Sequence, residues 1–143
     1  MKIIFALFLL MVLNSNPLFA GDPFCRVWYS EDSLSKIKIY KEPNGKYNGI
    51  LVWIKHAFAH GKPKIDSKNP DKSLRHKELV GLKIVSDLQV EAPGLLSGGK
   101  VYDPTSGNYY NCRMTLKENH LQLRGFIMGI PFLGKTTSWW LAE

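Results

Sequence analysis

His56 and His60 stand at an i, i+4 spacing that would bring both imidazoles to one face of a helix, with His76 as a third ligand for a metal. Their surroundings argue against that use. The stretch "KHAFAHGKP" ends in Gly61 and Pro63, which break a helix, and no cysteine lies near it, so no metal is expected. Asp66, His76, Tyr102 and Asp103 are side chains of the kinds that move protons. No nucleophile elbow, Cys-His arrangement or carboxylate pair accompanies them, and Asp103, followed by Pro104, reads as a turn residue. No catalytic residue and no cofactor is assigned, and the chain is not expected to be an enzyme. Arg75 offers a different chemistry, because a guanidinium presents a planar two-donor fork to a carboxylate.

Arg75 belongs to the most basic part of the chain. The formal net charge is +7, and between Lys55 and Lys83 eight basic residues face three acidic ones. Such a bias steers anionic partners. Nucleic acid is not among those expected, since no recognition module accompanies the charge. Within this segment "DSKNPDKSLRHKELVGL" is too polar for a core strand, and Asn69-Pro70 should open a turn or a short helix, with Asn69 as cap and Pro70 at the first helical position.

The first twenty residues have a separate purpose. Lys2, the apolar run from Ile3 to Leu13 and the polar stretch ending at Ala20 follow the order of a secretory signal peptide. The run is too short for a membrane-spanning helix, so residues 1–20 are expected to be removed and no stable membrane insertion is expected. Residues 21–143 then form one domain, placed in the periplasm or secreted. In an oxidising compartment Cys25 and Cys112 are expected to form one disulfide, the alternative being two separate thiols.

The elements that must position these groups are strands. "FCRVWYS", "SKIKIYK", "YNGILVWIK", "ELVGLKIVSDLQVEA", "GGKVYD", "YYNCRMTLK", "HLQLRGFIM" and "KTTSWWLA" are short, alternate apolar with polar residues, and are separated by turn residues such as Asn44-Gly45 and Pro104-Thr-Ser-Gly. A break is expected near Ser86-Asp87. No long amphipathic helix interrupts them. An all-β, antiparallel, up-and-down eight-stranded barrel follows, because closure removes exposed strand edges, and the basic segment becomes a polar insert loop or short helix at one end.

Alternation assigns an interior. Tyr110, Cys112, Met114 and Leu116 share one face, and Leu121, Leu123, Gly125 and Ile127 share another. Trp139 and Trp140 must point to opposite sides. Gly49 and Gly125 are expected to be bends that let the sheet close.

The ordered blocks Trp28, "NGKYNGILVWIK", "DSKNPDKSLRHKELVGL", "GGKVYDPTSGNYYNCRMTL" and "LRGF…LGKTTSWW" resemble the bacterial domain of unknown function (DUF) 2147 family across nearly all of residues 21–143. The resemblance implies a calycin-like barrel, similar to lipocalins and fatty-acid-binding proteins, and implies no activity. In a lipocalin a tryptophan at the position of Trp28 closes one barrel end beneath an arginine, a part open here to Arg124 or Arg26.

The expected function is binding of a small hydrophobic or amphipathic molecule, such as a fatty acid or lipid, inside the barrel. Trp53, Tyr110, Met114, Leu123 and Trp140 are the candidate lining, and Arg75 the candidate for an anionic headgroup. The alternative is a solid barrel whose basic surface contacts a protein or an anionic polymer; no particular protein partner is indicated.

Overall fold

The computed structural model describes residues 21–127 and 130–143. The expected signal peptide lies outside the described residues. Among the described residues are ten strands: β1 (Val27–Tyr29), β2 (Ser35–Lys41), β3 (Tyr47–Ile54), β4 (Phe58–Ala59), β5 (Lys62–Pro63), β6 (Lys83–Ala92), β7 (Leu95–Asp103), β8 (Asn108–Leu116), β9 (His120–Ile127) and β10 (Ile130–Leu141). Eight of them close into an antiparallel barrel in the order β1-β10-β9-β8-β7-β6-β3-β2, while β4 and β5 pair only with each other. The eight-stranded, calycin-like architecture expected from alternation is therefore present. The small β4–β5 hairpin is an addition the alternation did not reveal.

Local chemistry explains the connections. At the β2–β3 turn Gly45 takes a φ of 85° and the Asn44 side chain accepts from Lys46 N, as Asn-Gly turns require. Asp103 is the turn residue expected of it, its carboxylate accepting from Thr105 N at 2.9 Å. The break expected in β6 occurs where Asp87 adopts a φ of 60° and its N–H turns to Asn48 Oδ1 at 3.0 Å, with the β3–β6 register shifting around it.

The insert between β3 and β6 includes one turn of 3-10 helix, Lys72–Leu74. Its cap is Asp71, which accepts from Ser73 N, and not Asn69 as expected. Asn69 is instead buried and accepts from Asp71 N through its own side chain, one step earlier in the turn.

The barrel interior is packed over most of its length. Ile37, Ile39, Val85, Leu88, Leu96, Cys112, Met114 and Leu121 are fully buried there. One end is plugged by the residues before β1. Phe24 is buried and stacks edge to face on Tyr47, the Tyr47 hydroxyl donates to the Asp22 carboxylate, and Trp28 Nε1 donates to Phe24 O at 3.1 Å. Trp28 thus sits under a cap of N-terminal chain. Arg124 does not cover it: Arg124 pairs across the sheet with Arg113 and Thr136, on the face opposite Leu123, and donates to Thr136 Oγ1.

The expected disulfide is absent. Cys25 and Cys112 are free. Cys112 lies in the middle of β8 facing the interior, whereas Cys25 precedes β1 in the plug, so the two belong to different layers of the molecule. Burial alone pushes the Cys112 thiol up to about 12.

Candidate functional site

Cross-strand pairs share a face, so the interior can be traced strand by strand from the buried Leu123. Leu123 pairs with Met114 on one side and Thr137 on the other; Gly125 pairs with Cys112 and Lys135; Val101 pairs with Tyr110. These inward positions do not fill the barrel at the end opposite the plug. There a cavity of about 620 Å³ opens between β7, β8, β9 and β10, lined by Val101, Asp103, Tyr110, Leu123, Gly125, Lys135 and Thr137, with Thr105, Phe126, Ile127 and Gly134 at its edge. That volume lies in the range of small-molecule sites.

Gly125 is the reason for part of that space. A Cβ placed on it would meet Val101 Cγ1 at 3.5 Å, Tyr110 Cβ at 3.6 Å and Tyr110 Cγ at 4.0 Å, all ordinary contacts. Gly99 makes the opposite case. It pairs with Cys112 from the other side, and a Cβ there would run into Ser86 O and come within 2.7 Å of Leu88 N. One glycine lets two backbones meet, and the other leaves room.

The mouth is apolar at its floor and mixed at its rim. Leu123, Val101 and Tyr110 supply the floor, while Lys135 and Asp103 bring one positive and one negative group to the opening. Such a site can remove an apolar chain from water and leave a polar head near the rim.

Of the residues proposed from sequence, Tyr110 and Leu123 line this mouth. Met114 is fully buried and pairs with Leu123, so it belongs to the packed layer on which the floor rests. Trp53, Trp140 and Arg75 are elsewhere. Trp53 pairs with Lys36 while Leu51 pairs with Ile37, so Val52 is an extra residue in β3. This bulge turns Trp53 outward, where it is 39% exposed, stands edge to face on Tyr29 and lies under Lys36 Nζ. In β10 it is Trp139 that is buried, and Trp140 faces outward against the His120 ring at 5.0 Å.

Arg75 is a tie within the insert, its Nε donating to Asn69 O at 2.7 Å, and the mouth's cation is Lys135. Sequence alone did not single out Lys135. Only once the pairing of Trp139 with Leu121 sets Trp139 inward do Thr137 and Lys135 follow by period two.

The proton-moving side chains meet outside the barrel. Tyr102 faces outward on β7 beneath the insert, and its hydroxyl donates to Asp66 Oδ1 at 2.6 Å; Asn69 Nδ2 donates to Asp66 Oδ2 at 2.7 Å. Asp66 is fully buried, and Asp66 N donates to Lys77 O. Desolvation, then the neighbouring carboxylate, pushes the Tyr102 phenol well above its ordinary range, so it stays a donor. The pair fastens the insert to the wall.

A second cleft of about 690 Å³ runs along that outer wall between the insert and β6, β7 and β8. His56, His60 and His76 are exposed, and among the described residues no cluster of His, Cys, Asp and Glu could hold a metal.

Residues 27–140 match the family described as an uncharacterized protein conserved in bacteria (DUF2147). The chain belongs to this family. Among solved structures, the DUF2147 chain is similar to protein HP1028 from the human pathogen Helicobacter pylori, described as belonging to the lipocalin family. The two are 23% identical, the match covers 86% of this chain and 85% of that one, and the TM-score is 0.75. At that identity the likeness establishes a shared lipocalin-like barrel. No curated protein matches.

Proposed function

We propose that this DUF2147 protein binds a small hydrophobic or amphipathic molecule in the open end of its barrel. The observation that carries this reading is the unfilled mouth, where the inward positions of four adjacent strands leave a cavity floored by Leu123, Val101 and Tyr110 and widened by Gly125. Moving apolar ligand surface out of water onto that floor supplies the driving force, at roughly 25 cal/mol per Å².

Lys135 at the rim favours a ligand whose polar end is anionic, such as a fatty acid, and takes the part first assigned to Arg75. The mouth is preferred because it is built from the inward positions of the barrel, whereas the outer cleft, where Leu74, Val80, Leu82 and Ile84 stand beside Lys77, Glu78 and Lys83, lies on the outer wall at the insert. We further propose that the protein works in the periplasm or outside the cell, on the strength of the leader-like residues 1–20.

Native mass spectrometry of protein exported by its own leader, compared with the denatured sample, tests the reading. An excess mass lost on denaturation supports a carried ligand. A bare mass that persists after incubation with fatty acids and lipid extract contradicts it.

A further inference from the structure

The open end has a second property. Phe58 is 65% exposed, and Leu34, Ile65 and Ile127, at the same end, are exposed as well. Phe58 belongs to the β4–β5 hairpin, which among the described residues pairs with no other strand and turns through His60 and Gly61, both at positive φ. Residues 55–65, "KHAFAHGKPKI", contain Lys55, Lys62 and Lys64 and no acidic residue. Among the described residues none of these lysines is in an ion pair.

The hairpin adjoins the mouth. Its base is held where Lys55 N donates to Leu34 O, and Ala59 and Pro63 share a cleft with Pro104 and Thr105, the latter also standing at the mouth's edge.

We propose that this hairpin docks the open end of the barrel on an anionic phospholipid surface. Exposed apolar side chains interleaved with unpaired lysines match the two layers of such a surface: lysines meet the headgroup phosphates, and Phe58 enters the boundary with the acyl chains. A soluble polyanion would use the lysines and leave Phe58 in water. Docked this way, the mouth lies next to the bilayer, a route by which a lipid-like ligand enters or leaves. The docking surface stands on exposure and charge alone; only its role in ligand transfer rests on the function proposed above.

Co-sedimentation tests this with the purified chain from Gly21 onwards, which carries every strand of the barrel. Vesicles of phosphatidylglycerol and phosphatidylcholine are compared with vesicles of phosphatidylcholine alone, with dextran sulfate as a separate polyanion. The chain is expected to bind the anionic vesicles and not the neutral ones. The Lys62→Glu, Lys64→Glu double variant should bind about tenfold more weakly or worse, because each basic side chain near the surface contributes measurably. Phe58→Ser should weaken vesicle binding several-fold and leave dextran sulfate binding unchanged.

Failure of the wild type to bind anionic vesicles, or equal binding by either variant, would overturn the proposal. So would preference for dextran sulfate over vesicles. A fatty-acid titration on the same variants keeps the two readings apart, since both substitutions lie outside the mouth and should leave it unchanged.

Discussion

The two ends of the barrel are built from the same eight strands and differ in what caps them. At one end Phe24, Trp28 and Tyr47 fill the opening, and the polar atoms they bring are paired, Trp28 Nε1 with Phe24 O and the Tyr47 hydroxyl with Asp22. At the other, the inward positions Val101, Tyr110, Gly125, Lys135 and Thr137 line a cavity that they leave unfilled. A barrel of this size is filled or hollow according to a few side chains at its ends.

The largest effect is expected at the plug. Trp28→Ala removes a buried ring and one of the two donors to the Phe24 carbonyl, which keeps Arg26 N, and should cost about 3 to 5 kcal/mol in chemical denaturation. Ligand binding by the fraction still folded should persist, because the mouth is at the far end. Loss of binding without loss of stability would break the division between the ends.

The glycines flanking Cys112 sharpen it. Gly99→Ala drives a methyl into the backbone of β6 and should cost about 1 to 3 kcal/mol, whereas Gly125→Ala should change stability by less than about 0.5 kcal/mol. Equal costs in thermal melting would mean that the space beside Gly125 is not there.

Tyr102→Phe removes a donor from the buried Asp66 and should cost about 1 to 3 kcal/mol. Limited proteolysis should then cut the 55–82 insert before the barrel. An unchanged cleavage pattern would show that the Asp66–Tyr102 pair does not hold the insert.

The smallest effect concerns the thiols. The Cys112 value in the folded chain is raised from 9.0 to about 12, so burial favours the protonated form. That contribution to stability is present below pH about 9 and is lost as pH rises towards 12. At pH 8 iodoacetamide should label the half-buried Cys25 first and Cys112 only after unfolding. A chain that takes no label even when denatured without reductant would carry the disulfide after all.

The sequence makes the barrel legible because alternation, Asn44-Gly45 and the turn at Asp103 are local signals. Tyr110 and Leu123 could be placed at the mouth because period two runs uninterrupted through β8 and β9. The same rule misplaced Trp53, since one extra residue, Val52, reverses every side chain beyond it and leaves no mark in the composition. It could not choose between Trp139 and Trp140, which depends on pairing with Leu121 and His120. Asp66 and Tyr102 were visible as reactive types. Their meeting depends on how the insert folds back on β7, a contact between residues 36 apart in sequence.

A titration of a fluorescent fatty acid into wild type and Gly125→Leu, with melting temperatures measured alongside, tests the open mouth most directly. Leucine at 125 projects into the cavity between Val101 and Tyr110. The wild type is expected to bind the probe one to one, and the variant to melt at a similar temperature while binding about tenfold more weakly or not at all. Full binding by a stable Gly125→Leu protein would contradict a ligand site at this end of the barrel.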